Sequence, residues 1–410
     1  MTTHAAKRPG QPGRSLSSAA PALDMDALLR DTSTGILVCC GAGGVGKTTT
    51  AAALGLRAAE QGRHVVVLTI DPARRLAQSL GLVELDNTPR AVAGIDTSAG
   101  GSLDAMMLDM KRTFDEIVEA HASPEKAEQI LANPFYVALS SSFAGTQEYM
   151  AMEKLGQLHD MRGPDGRPRW DLVVVDTPPS RSALDFLDAP ERLGSFLDGR
   201  FIRLLLAPAK ASGRAYVKVV QAGMNLAAST LDKILGSQLL GDLQTLVAAL
   251  DSVFGGFRQR ATQTYALLQD SGTAFLVVAS PERDALREAG YFMDRLAADR
   301  MPLAGVIVNR MGRTTLTLDA DVADRGASRL EAASAGAGPR GATAEHVAAA
   351  LLRIHATRDA LAERHRAAAK RLSDAHPGVP VAQVPAAATD VHDLDGLRTI
   401  GAELAGWARA

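Results

Sequence analysis

Cysteine is almost missing from this 410-residue chain: there are two, Cys39 and Cys40, and they are neighbours. Adjacent cysteines supply neither a disulfide framework nor a CxxC metal clamp. Such sparse use fits a reducing compartment, and both are expected to be buried packing residues. Aromatics are scarce as well, at 4% against 46% hydrophobic residues overall, so the core must be built from Ala, Val and Leu. Neither sign of charge is in excess. A net charge of −2 gives no basic field of the kind that nucleic-acid binders carry, and no nucleic-acid partner is expected. No apolar run approaches the ~18 residues of a membrane span. The opening stretch "MTTHAAKRPGQPGRSLSSAAPALD" lacks an apolar signal core. It reads as part of a disordered tail, residues 1–30, on a cytoplasmic protein.

What is present is a series of short, continuous apolar runs bounded by turn residues. They are "TGILVCCGAGG" near 34–44, "HVVVLTID" at 64–71, "WDLVVVDTPP" at 170–179, "TAFLVVAS" at 273–280, "LAGVIVNRM" at 303–311 and a weaker "VPVAQVP" at 379–385. Continuous rather than alternating runs suit strands buried on both faces of a parallel sheet. Helical patterns lie between them, such as "TTTAAALGLRAAEQG" with Gly62 as its cap. Strand and helix in alternation predict an α/β fold with a mostly parallel, doubly wound sheet. The region 31–410 reads as one such domain with two helical insertions. In the first, about 100–160, Leu103, Met106, Met107, Met110, Phe114 and Ile117 keep to one helical face. The second covers about 190–270. The Ala/Gly-rich stretch at about 319–345 reads as a flexible linker, followed by a charged helix at roughly 346–373.

The loop "GAGGVGKT" satisfies the full phosphate-binding pattern G-x-x-x-x-G-K-[ST]. Gly41, Ala42, Gly43, Gly44, Val45 and Gly46 bring backbone N–H groups around a phosphate, and the helix opening at Lys47, Thr48 and Thr49 adds its positive end. Lys47 neutralises phosphate charge and the Thr48 hydroxyl ligates Mg²⁺. In "TIDPARR", Asp71 follows the second apolar run on the ligand side of such a sheet. It suits either activation of the attacking water or capping of a helix that starts at Pro72. In "LVVVDTPPS", Asp176 ends a strand where a Walker-B acid reaches Mg²⁺, usually through water. ATP and Mg²⁺ are the expected cofactors.

These stretches, with "FAGTQEYMAMEKL" leading into "DLVVVDTPPS", resemble the ArsA-type ATPases over most of residues 31–311. That family includes arsenite-pump and tail-anchored-protein-targeting ATPases. The resemblance implies a P-loop ATPase with Asp71 in switch I as the water-activating acid. Asp176 to Ser180 would form switch II, coupled to a helical subdomain. It makes Asn309 in "VNRM" the adenine-reading asparagine, flanked by the loop after Val384; a plain turn residue is the other reading of Asn309. It also implies a dimer with two phosphate loops facing each other, serving a membrane transporter or a hydrophobic client.

The departures are informative. The family's loop carries a lysine where this chain has Ala42, and that lysine crosses the dimer to the partner's nucleotide. A homodimer is therefore expected to be slow unless Arg74, Arg75 or Arg181 substitutes; otherwise the partner is a lysine-bearing sister subunit in a heterodimer. Without the family's CxxC pair no zinc is expected. Met106, Met107 and Met110 serve either as an adaptable partner groove or as the subdomain's own core. Two other functions remain open: a positioning ATPase of the ParA/MinD kind, and a weakly catalytic regulatory subunit.

Overall fold

The computed structural model describes residues 21–71, 75–133, 136, 137, 140, 146–178, 259–314, 316–334 and 344–407. Along the chain these form α1 (Met25–Arg30), β1 (Ile36–Cys40), α2 (Lys47–Glu60), β2 (His64–Thr69), α3 (Arg75–Ser79), β3 (Arg90–Ala91) and β4 (Ser102–Met107). There follow α4 (Met110–His121), α5 (Pro124–Leu131), α6 (Thr146–Asp160), β5 (Leu172–Asp176), β6 (Thr273–Ala279), α7 (Arg283–Ala298) and β7 (Leu303–Met311). The last are α8 (Ala320–Ser334), α9 (Ala344–Ala375), β8 (Val381–Pro385) and α10 (Leu394–Gly406).

The eight strands among the described residues make one sheet in the order β3-β4-β2-β5-β1-β6-β7-β8. Every pairing is parallel except β3 with β4. β1, β5 and β6 are buried along their whole length, as their unbroken apolar runs require. Ile36, Val38 and Cys40 enter the core on one face, and Leu37 and Cys39 enter the other. This is the period-two alternation of a strand covered on both sides. On the second face α2 packs closely because its contact residues are small, Ala51–Ala53, Ala58 and Ala59. The helix stops as anticipated: Gly62 takes φ +102°, and its N–H donates to the Ala59 carbonyl at 3.0 Å. Burial pushes the Cys40 thiol up to about 12 and raises Cys39 well above its usual value, so both behave as small apolar residues.

Three expectations about the chain's organisation change. The tail does not extend to residue 30. Leu23, Met25 and Leu29 are buried, Ala22 bridges to Val381, and Asp26 forms an ion pair with Arg57 at 2.7 Å. Leu103, Met106 and Met107 lie on β4, not on a helix, and the helical insertion begins at Met110. Leu103 and Met106 sit on opposite faces of the sheet, and β4 pairs with β2 through all six of its residues. A strand joined to a helix by two residues happened to mimic the helical spacing. Met106 is fully buried, so it is core, while Met107 and Met110 are partly buried. Residues 320–334 of the expected linker are the helix α8, closed against α9 through Ala323 and Ala327. Small residues that suggest flexibility here let two helices approach closely: a Cβ on Gly326 would lie 3.3 Å from Leu352. Of the second insertion, 190–258 lies outside the described residues, and 259–269 is helical.

Candidate functional site

The site is built where β1, β2, β5 and β7 end along the carboxyl edge of the sheet. Leaving β1, the chain turns at Gly41 with φ +147°, where a Cβ would stand 2.0 Å from the Val278 carbonyl oxygen of β6. Only glycine fits there. Gly43 and Gly44 form the exposed crest of the loop, Val45 is buried and Thr49 is partly buried. Gly46, at φ +96°, precedes α2, whose N-terminus has no side-chain cap. A capping side chain would occupy the N–H groups that a phosphate needs.

Lys47 is 7% exposed, and its Nζ donates to the Ala42 carbonyl at 2.8 Å. Burial lowers its pKa, against which the charges of Asp176 and Asp71 act. Asp176 is wholly buried at the end of β5. Its Oδ2 accepts from the Thr48 hydroxyl at 2.7 Å and the Thr69 hydroxyl at 2.9 Å, while Oδ1 has no hydrogen-bond partner among the described residues. Desolvation dominates and raises the carboxyl to about 6, although both hydroxyls pull it down. Such a half-satisfied buried carboxylate is costly. A divalent cation would offset the buried charge, and the Asp176 carboxylate and Thr48 hydroxyl are the oxygen donors that Mg²⁺ takes, so these residues fit it.

Asp71 lies just beyond β2, with its N–H donating to Thr69 Oγ1 at 3.2 Å. One hydroxyl thus bridges the backbone of Asp71 to the carboxylate of Asp176. From the helical layer, Gln147 of α6 donates to the Ile70 carbonyl at 2.8 Å, one residue before Asp71. Asn309, near the end of β7, donates its amide to the Val45 carbonyl at 2.9 Å and fits against Gly46, where a Cβ would meet its Nδ2 at 2.3 Å. The N–H of Ala386, in the loop after Val384, donates to the Met311 carbonyl at 2.9 Å, which brings that loop beside the same edge.

The fold therefore gathers residues 41–49, Asp71, Asp176 and Asn309 at one edge. Asn309 clasps the loop itself. Arg74, Arg181 and Ser180 lie outside the described residues, as does the side chain of Arg75. Sequence reasoning passed over Thr69 and Gln147. Thr69 had a readable signal, a threonine two positions before Asp71 at a strand end, whereas Gln147 becomes visible only when α6 packs on the sheet.

Comparison with known proteins agrees with this architecture. The ArsA family model, described as anion-transporting ATPase, matches residues 34–316. "ATPase ASNA1 homolog 2" of Paramecium tetraurelia is 24% identical over 278 residues, covering 66% of this chain and 74% of the relative. The "ATPase ASNA1 homolog" of Cryptosporidium parvum is 26% identical over 272 residues, 66% of this chain and 63% of the relative. "ATPase get3" of Schizosaccharomyces pombe is 29% identical over 167 residues, 40% of this chain and 46% of the relative. Among the described residues, no helix is long and apolar enough to cross a membrane. With the phosphate loop, its strand-end acids and the parallel sheet all inside the matched span, the chain belongs to the ArsA family of anion-transporting ATPases.

Proposed function

We propose that the chain is a Mg-ATP-hydrolysing switch that dimerises around nucleotide and passes the change to its helical layer, for a membrane transporter or a hydrophobic client. The observation that carries this reading is Asp176: a buried carboxylate with one oxygen unpartnered, hydrogen-bonded through the other to the first hydroxyl of the phosphate-loop helix. Structural packing alone gives no reason to keep a charge there.

In this reading the loop amides of residues 41–46 and the N-terminus of α2 hold the phosphates. Lys47 exchanges the Ala42 carbonyl for phosphate oxygens. Thr48 and Asp176 would hold Mg²⁺, which would supply the positive charge that offsets the charge of the departing group. Asp71 orients a water and takes its proton as the water oxygen attacks the terminal phosphorus and the bond to the leaving phosphate breaks. Thr69 sets the backbone of Asp71, and Gln147 ties that backbone to α6. Asn309 holds the loop in shape and lies beside the base-flanking loop. The proposed partner is a second copy, meeting the first through the phosphate-loop edge. The family's description as anion-transporting supports a transporter as the downstream element.

Turnover and ATP binding measured separately on wild type and Asp71→Asn test the assignment. Binding should persist while turnover falls by about 10²–10⁴, the range for loss of a general base. Turnover unchanged in Asp71→Asn would refute it.

A further inference from the structure

Of the ten exposed large apolar side chains among the described residues, six lie between Leu316 and Leu361. Four of them, Val347, Leu351, Ile354 and Leu361, stand on α9 at steps of four, three and seven. That is the heptad spacing of a coiled-coil seam. The small residues Ala350 and Thr357 lie beside them on the same exposed face, and Arg358 occupies the intermediate position.

The orientation of the seam is set from behind. On the opposite side of α9, Arg353 is paired with Asp324 and Glu331 of α8. His355 contacts the Leu318 carbonyl at 2.6 Å, Thr314 donates to Asp359 at 3.2 Å, and Ala349, Ala356 and Ala362 are buried. The helix therefore cannot roll to hide its stripe. Its place along the sheet is also clear. Just beyond β7, the N–H of Gly312 donates to His365 Nδ1 at 2.9 Å. Residues 344–361 of α9 thus project past the carboxyl edge that carries the phosphate loop, by roughly 27 Å at 1.5 Å per residue.

We infer that this stripe is a dimer contact: α9 of one chain packs antiparallel against α9 of a second copy. The inference rests on the proposed phosphate-loop dimer and names a further surface that holds it. Two chains meeting through their carboxyl edges across a two-fold axis point their strands at each other. Because α9 connects the parallel strands β7 and β8, its overhang runs against the strand direction, and the two overhangs pass antiparallel. Charge selects the same arrangement. A parallel pairing sets Arg358 against its own copy, whereas the antiparallel register sets Leu351 opposite Ile354 of the second copy and Arg358 opposite Val347. The contact is isologous, as a two-fold dimer requires. A membrane surface is the poorer occupant. Residues 320–334 and 344–361 carry five acidic and four basic side chains, not the Lys/Arg excess of helices that lie on anionic lipid.

The test uses the full chain carrying Asp71→Asn, with Mg-ATP, in sedimentation velocity and in disulfide trapping. The native cysteines are buried and will not compete. Ile354→Lys, at an exposed position that leaves folding intact by circular dichroism, should weaken the dimer about 100-fold, as a charge in a coiled-coil seam does. An equal mixture of Leu351→Cys and Ile354→Cys chains should cross-link faster than either alone. A dimer that forms with unchanged affinity in Ile354→Lys and gives no mixed disulfide overturns the stripe contact and leaves the phosphate-loop dimer standing. A wild-type chain that stays monomeric with Mg-ATP at every concentration overturns both. Loss of binding to phosphatidylserine vesicles in Ile354→Lys, with dimerisation unchanged, assigns the stripe to lipid instead and also overturns the inference.

Discussion

Replacing Asp176 with Asn should stabilise the nucleotide-free chain while disabling it. The carboxyl is fully buried, one of its oxygens has no partner, and burial raises it from 3.8 to about 6. The native state therefore holds the proton more tightly than the unfolded chain does. Between pH 3.8 and about 6 it binds more protons than the unfolded state, so stability falls as pH rises through that window. Ionisation at neutral pH costs about 3 kcal/mol at 1.36 kcal/mol per pKa unit. An asparagine carries no charge and keeps an acceptor for Thr48 and Thr69, so most of this cost is recovered. For a chain of this size the gain corresponds to a rise in Tm of about 2–4 °C. Differential scanning fluorimetry at pH 7.5 and at pH 4, without nucleotide, reads it directly. The variant should melt higher at pH 7.5 and level with wild type at pH 4. With Mg-ATP the order should reverse, because only wild type gains the full binding energy of the complex. A variant that melts lower at pH 7.5 without nucleotide, or a gap that does not change with pH, would refute the account of this carboxylate.

Two further outcomes follow from the loop. Gly46→Ala adds a Cβ 2.3 Å from Asn309 Nδ2 at φ +96°, so isothermal titration should show ATP affinity falling at least tenfold. The paired Gly46→Ala/Asn309→Ala chain, which removes the clash but not the backbone strain, should recover only part of it. Ala42→Lys restores the cation that the ArsA-type loop carries, and a device of that kind is worth about 10³–10⁵ in rate at its strongest. Turnover of the purified chain should rise at least tenfold in a phosphate-release assay. No change would mean that another cation of the same chain already fills the role.

The six continuous apolar runs became β1, β2, β5, β6, β7 and β8 because strands buried on both faces need apolar residues at every position, and that requirement is written locally. The phosphate loop was equally legible, since Gly41, Gly44 and Gly46 take positive φ that other residues rarely adopt; at Gly41 and Gly46 the structure shows what a side chain would hit. Reading failed where small or mixed residues carry the structure. Strand β4 reads locally as helix because its partner β2 lies some 40 residues away in sequence. The helix α8 reads locally as linker because its Ala and Gly matter only against α9. Residues 21–30 read locally as tail because what holds them is distant in the chain: Val381 pairs with Ala22, and Arg57 with Asp26 of α1.

By itself, then, the sequence determined the alternating architecture, the phosphate loop and the two acids at strand ends. These depend on burial pattern and backbone geometry within a few residues. Only the tertiary structure decided that Asp176 keeps an unsatisfied oxygen, that Thr69 joins it to Asp71, that Gln147 links that pair to the helical layer, and that α9 turns an apolar seam outward. Those are matters of which distant side chains share a volume with no water between them: a local pattern marks Thr69 and the α9 stripe as candidates, but not what they touch or whether they stay exposed.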